Sequence, residues 1–126
     1  MDLRSESDIV RARQAVRQLA QELRFSLVEQ TKIVTAASEL ARNTVVHGGG
    51  GAMIMEPLTE GIRTGLRLCF VDQGPGIPNL ELAMTDGWTS GHGLGLGLSG
   101  AKRLSNDFEI ESAPGRGTRV TITRWK

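Results

Sequence analysis

Apolar residues recur at the helical period near the start of the chain. Ile9, Ala12, Val16, Leu19, Ala20 and Leu23 fall on one face of a helix. Ser7 or Asp8 is placed to cap it. In a second amphipathic helix, Ser26 and Glu29 have the spacing of a capping box, and Ile33, Ala37, Leu40 and Ala41 form the apolar stripe. That helix is expected to run to about Val46, where Gly48 to Gly51 stop it. Strand-like runs follow, Ala52 to Leu58 and Leu66 to Val71, joined by TEGIRTG as a hairpin or short irregular link. A short helix around Leu80 to Met84 and a third helix from near Leu94 to near Ser105 come next. Two closing strands, Phe108 to Ser112 and Thr118 to Trp125, are separated by the turn sequence APGRG. Helices first and most strands later predict an α+β fold: a two-layer sandwich of about three helices on one mixed, mostly antiparallel sheet.

Composition narrows the function. The 126 residues fit a single domain, 1–126, and Leu, Val, Ile and Phe make up about a quarter of them, enough for a modest core. Fifteen Lys and Arg against fourteen Asp and Glu leave a formal charge of +1, which argues against a nucleic-acid groove or an anionic membrane as partner. The charged start MDLRSESD lacks the apolar stretch of a secretory signal, and no run approaches the ~18 apolar residues of a membrane span, so a soluble, cytoplasmic domain is expected. The single cysteine, Cys69, lies in the apolar run LRLCFV and reads as a small core residue. Glycine departs from the norm: 16 residues, about 13% against a usual ~7%, clustered at 48–51 and between Gly74 and Gly100.

Three segments carry candidate chemistry. Glu39, Asn43 and His47 are spaced i, i+4, i+8, along one strip that borders the apolar stripe of the second helix. Polar groups at a core edge need partners, because unpaired burial costs a few kcal/mol. Asp72-Gln73-Gly74-Pro75-Gly76 directly follows a buried strand. There a carboxylate could accept a hydrogen bond from a flat ligand, such as an adenine amino group, while bare backbone approaches closely; the same residues also suit a plain turn. Gly91-His92-Gly93-Leu94-Gly95-Leu96-Gly97-Leu98 leads into a helical pattern, and amides at such a start cradle phosphate oxygens. Its GxGxxG is not preceded by the strand that a dinucleotide fold needs, and neither a Walker A loop nor HRD and DFG signatures occur. Gly117-Thr118 opens the last strand and offers a hydroxyl that could supplement Asp72. Ser90 and His92, in the loop before the glycine run, could reach phosphates or simply reflect loop polarity, and Trp88 fits either packing or a partner surface.

Taken in order, these segments resemble the GHKL (Bergerat-fold) ATP-binding superfamily of gyrase, Hsp90, histidine kinases and MutL. ELARNTVVHG resembles its N box, DQGPG its first glycine box, GHGLGLGL its second, and Gly117-Thr118 its third. Within the superfamily, DIVRARQAVRQLAQEL, SELARN and GLGLSGAKRLSNDFEIESAPGRGT are similar to the serine/threonine switch kinases of bacterial stress-response modules. His47 followed by four glycines is more similar to the anti-sigma and histidine-kinase branches.

The resemblance implies ATP and Mg²⁺ as ligands. It implies Glu39 as general base or orienter of the acceptor hydroxyl, Asn43 as magnesium ligand, and Asp72 and Thr118 as adenine contacts. Gly74 and Gly76 would flank the base, and Gly93, Leu94, Gly95, Leu96 and Gly97 would form the phosphate loop. It further implies a kinase acting on a small STAS-domain antagonist, with a PP2C-type phosphatase or a sigma factor as further partner. The alternative is an anti-sigma or phosphatase-activating binding module that uses ATP mainly as ligand. A histidine-kinase catalytic domain is disfavoured, since 126 residues leave no room for a phosphoacceptor helix. Ile77 to His92 is short for an ATP lid and implies a reduced closure that depends on a partner.

Overall fold

The computed structural model describes residues 1–77, 84 and 97–126. Its elements are strand β1 (Asp2–Leu3), helix α1 (Glu6–Glu22), helix α2 (Leu27–Arg42) with a π-helical turn (Asn43–His47), strands β2 (Gly51–Glu60) and β3 (Arg63–Asp72), helix α3 (Leu98–Arg103), and strands β4 (Asp107–Ser112) and β5 (Thr118–Trp125). The sheet order is β1-β2-β3-β5-β4. Every pairing among the described residues is antiparallel, in keeping with the expected α+β sandwich on a mostly antiparallel sheet. The expected short helix around Leu80 to Met84 and the first residues of the expected third helix, Leu94 to Leu96, lie outside the described residues.

Local chemistry explains where the elements begin and end. Helix α1 is capped by Ser5, earlier than Ser7 or Asp8, and Asp8 occupies the third helical position instead. Its carboxylate accepts from the backbone N–H groups of Arg4 at 2.9 Å and Ser5 at 3.3 Å, and also pairs with Arg11. The Arg4 amide first, then the Arg11 guanidinium, hold the Asp8 carboxyl below the usual aspartate range. Helix α1 stops in a Schellman turn: Phe25 N–H donates to Ala20 C=O at 2.9 Å and Arg24 N–H to Gln21 C=O at 2.9 Å. Strand β1 pairs Asp2 with Ala52 and Leu3 with Gly51, and two residues are too few to show an alternating pattern in sequence.

Ser26 caps α2 by accepting from Glu29 N–H at 3.1 Å. The reciprocal half of the expected capping box does not form, because the Glu29 carboxylate is drawn instead to Arg124 on β5, at 2.6 Å. Arg124 also donates to the Leu104 carbonyl at 3.0 Å, so one guanidinium joins the start of α2, the end of α3 and the last strand. Glu29 to Asn43 spans ~21 Å along a helix, and Arg124 back to Thr118 spans ~20 Å along a strand. Helix α2 therefore matches the length of β5, and pinning one end carries its other end to the first residue of that strand.

The core lies between these layers. Leu66, Leu68 and Phe70 of β3, Val120 and Ile122 of β5 and Met53 of β2 face Ile33, Ala37, Leu40 and Ala41 of α2, with Ile9, Ala12, Val16 and Ala20 from α1 and Leu98 and Ala101 from α3. Among the described residues no helix is long and apolar enough to cross a membrane.

Arg124 holds the Glu29 carboxyl below its ordinary value of 4.5. A lowered native value means that the ion pair stabilises the fold above the unfolded value, and that this contribution fades as pH falls through the native one. Glu29→Gln is expected to cost about 1–2 kcal/mol at pH 7. The same substitution is expected to flatten the loss of stability between about pH 5 and pH 3, read from urea midpoints across that range.

Candidate functional site

Alternation along β3 sends Leu66, Leu68, Phe70 and then Asp72 to the helix-facing side, so the last inward position of a hydrophobic strand is a carboxylate. Asp72 pairs with Gly51 on one side and Thr118 on the other, and Thr118 pairs with Ser112. With Leu3 opposite Gly51, a single row of residues crosses all five strands at this end of the sheet.

Asp72 is 7% exposed. Its Oδ1 accepts from the backbone N–H groups of Gly74 at 2.9 Å and Thr118 at 3.2 Å, which fixes the carboxylate plane and satisfies a buried anion. Both of these bonds go to Oδ1, which leaves Oδ2 to a further donor.

Thr118 is oriented by its neighbour. The Ser112 hydroxyl accepts from Ile77 N–H at 2.8 Å and donates to Gly117 C=O at 2.9 Å. Its single proton is then spent, so in the 2.9 Å contact between the two hydroxyls Thr118 is the donor. The lone pairs of Thr118 Oγ1 remain as acceptors beside Asp72. Ser112 escaped the sequence reading, although a hydroxyl residue just before APGRG, facing the Thr just after it, is a recognisable hairpin signal.

The helix delivers its polar residues through the π turn. Gly48 N–H donates to Asn43 C=O at 2.9 Å, five residues back, and the Thr44 hydroxyl bonds to Leu40 C=O at 2.9 Å. The uniform i, i+4, i+8 strip is therefore corrected: α2 widens after Arg42, although Glu39, Asn43 and His47 all remain half-buried. His47 Nε2 lies 3.3 Å from Gly76 C=O. A carbonyl only accepts, so the imidazole carries its proton on Nε2 here.

Asn43, His47, Asp72 and Thr118 come together around a narrow cavity of about 20 Å³, whose apolar walls include Leu40, Phe70, Ile77, Leu98 and Val120. That volume suits about one water. A flat base therefore enters only as wall side chains move apart.

Two glycines make the assembly possible. A Cβ on Gly48 would lie 2.3 Å from the Asp72 carboxylate carbon, and one on Gly74 would lie 2.7 Å from Gly48 Cα. The sequence places Gly48 at a helix stop and at the end of the N-box segment, but does not reveal its contact with Asp72. Gly97 precedes α3 at φ 64°, and a Cβ there would meet Glu39 Oε2 at 2.5 Å. The end of the second glycine box thus lies directly against Glu39. Gly93, Leu94, Gly95 and Leu96, along with Trp88, Ser90 and His92, lie outside the described residues, as does the stretch read as a short lid apart from Ile77 and Met84.

Among the described residues no group of three or more His, Cys, Asp or Glu side chains could hold a metal ion. What the cleft offers a cation is a hard amide oxygen from Asn43, one ligand for an ion that takes its remaining ligands from phosphate and water.

Residues 28–126 match the family model described as histidine kinase-, DNA gyrase B- and HSP90-like ATPase. The chain is 44% identical over 121 residues to the serine/threonine-protein kinase RsbT of Bacillus subtilis (strain 168), covering 96% of this chain and 91% of the relative. It is 31% identical over 121 residues to the anti-sigma F factor of Bacillus licheniformis, covering 90% and 81% respectively. The fold is similar to that of the catalytic domain of histidine kinase ThkA, with TM-score 0.53, 15% identity and coverage of 98% and 93%.

The Gly48 contact makes a prediction of its own. Gly48→Ala forces its methyl group onto Asp72 and is expected to destabilise the fold by about 1–3 kcal/mol. A urea midpoint equal to that of the parent chain would show that Gly48 and Asp72 are not packed as described.

Proposed function

The chain belongs to the histidine kinase-, DNA gyrase B- and HSP90-like ATPase family, and from that premise we propose how its residues serve as a serine/threonine-protein kinase. The observation that carries the reading is the row at the sheet end. It sets a buried carboxylate with an open oxygen, a hydroxyl with open lone pairs, and the N-box turn around one cleft.

In this reading residues 1–126 act as one ATP-binding kinase domain. Asp72 Oδ2 accepts from the adenine amino group, Thr118 Oγ1 provides the second base contact, and the Gly74 and Gly76 backbone flanks the ring. Gly93, Leu94, Gly95, Leu96 and Gly97 hold the phosphates with backbone amides. Asn43 holds Mg²⁺, which neutralises phosphate charge when bound. Glu39, one turn before Asn43 and against Gly97, accepts the proton of the substrate hydroxyl. The hydroxyl oxygen bonds to the γ-phosphorus as the bond to the bridging oxygen breaks, and ADP leaves with that electron pair. Catalysis of this kind rests on positioning and charge more than on protein covalent chemistry.

The substrate proposed is a serine or threonine of a small STAS-domain antagonist, in a cytoplasmic sigma-factor regulatory module. A PP2C-type phosphatase or a sigma factor is the proposed further partner. Similarity to anti-sigma F factors supports a second reading, in which holding a partner is the main output and ATP serves mainly as ligand.

Incubation with ATP, Mg²⁺ and a STAS-domain protein from the same gene neighbourhood is expected to give phosphate transfer. Glu39→Ala should reduce transfer at least 100-fold and leave the ATP dissociation constant, measured by calorimetry, within about threefold. Asp72→Asn should weaken ATP about tenfold or more by turning one acceptor into a donor. Transfer by Glu39→Ala at the parent rate would remove Glu39 from the chemistry. Stable nucleotide-dependent capture of a sigma factor, without transfer to any STAS protein, would favour the second reading.

A further inference from the structure

Helix α1 has one face that the fold does not use. From Ile9 to Gln21 it carries three arginines and no acid. At 100° per residue, Val10, Arg13, Arg17 and Gln21 fall within about 80° of one another, in a strip centred about 100° from the buried stripe of Ile9, Ala12, Val16 and Ala20, which it borders at Arg13. Their spacing of three, four and four residues extends the strip ~17 Å along the helix, and Arg24 follows just beyond the C-cap Leu23. Arg11 pairs with Asp8 and Arg4 with Asp2, whereas Arg13, Arg17 and Arg24 have no ion pair among the described residues.

Two further observations set this strip apart from a solvated face. Arg24 has φ 62° and is the one non-glycine residue with positive φ among the described residues. It occupies the position of the Schellman turn that glycine usually fills, where a side chain costs about 1 kcal/mol. Backbone strain of this kind at a non-glycine residue is a starting point for a functional assignment of its side chain. Just beyond it, Leu27 and Val28 open α2 at 71% and 61% exposure, and Val10 at the strip's other end is also exposed.

We infer that Val10, Arg13, Arg17 and Arg24, with Leu27 and Val28, form a docking surface for an acidic amphipathic helix of a partner protein. Charge complementarity selects the acidic helix. The heptad-like spacing suits a helix lying alongside α1, and the apolar residues at both ends give it anchors. A nucleic acid is the weaker occupant: exposed leucine and valine offer a phosphate backbone nothing, and the chain's formal charge is only +1. This surface is separate from the Asp72 cleft, and the inference does not depend on the kinase reading.

The full chain is titrated by fluorescence anisotropy with a synthetic 21-residue helical peptide that carries leucines along one seam and glutamates beside it. A lysine-for-glutamate peptide and a 20-base-pair DNA duplex are the comparisons. The acidic peptide is expected to bind at least tenfold tighter than the lysine peptide, and more weakly as salt rises. Arg13→Glu with Arg17→Glu should lose at least tenfold in affinity with an unchanged far-ultraviolet dichroism spectrum. Arg24→Gly should weaken the peptide threefold or more while raising the urea midpoint, a combination that a purely structural role for Arg24 does not produce. Absence of binding, equal binding of the two peptides, retention of affinity in the double variant, or tighter binding of the duplex would each overturn the inference.

Discussion

Burial of the Asp72 carboxylate is the constraint around which the rest of the molecule is arranged. An anion at the inner end of a hydrophobic strand is tolerable only if donors surround it, and the fold supplies two from backbone, at Gly74 and Thr118. Supplying them requires a loop that turns back immediately after β3 and a β5 that starts in register with its end. It also requires a helix terminus stripped of side chain at Gly48. Gly48 and Gly74 meet that need, at places where main chain comes within contact distance of a buried carboxylate or of the glycine that abuts it.

Helix α2 connects this end of the sheet to the other. The Glu29–Arg124 pair fixes where the helix begins, and the match between its length and that of β5 then determines where it ends. There the π turn changes the pitch, so that Asn43 and His47 face the cleft while Gly48 reaches Asp72. Glu39, still on regular α-helix, faces the residue that opens α3. Glu39 and Asn43, the proposed proton acceptor and the proposed cation ligand, thus sit one turn apart on a single element whose other end is pinned by Arg124.

Much of this was legible from residue pattern. The stripes of α1 and α2, the alternation along β3, and the order of the polar and glycine-rich boxes identify two layers, the family and the place of Asp72 at the end of a buried strand. What escaped were interactions between residues distant in sequence, or choices among equivalent local options. Glu29 has the spacing for a capping box, but its partner is 95 positions away. Ser5, Ser7 and Asp8 are all competent caps, and the decision rests on which leaves Asp8 free to gather the Arg4 and Ser5 amides. Strand β1 is too short to carry a period. The π turn has no periodic signature, and the Gly48 that ends it packs against a residue 24 positions later. Ser112 acts only through Thr118, a role visible once the two strands are paired.

If this account is right, one site at the end of the sheet receives the nucleotide, and the open face of the sheet does not. Titrating the isotopically labelled chain with magnesium-loaded ATP and following its backbone amide resonances tests this directly. The account predicts that Gly48, Gly74 and Thr118 shift together along one saturation curve, while Arg119 and Thr121 on the outer face stay in place. Shifts confined to the outer face, or no response at Gly74 and Thr118 at saturating ATP, would contradict it.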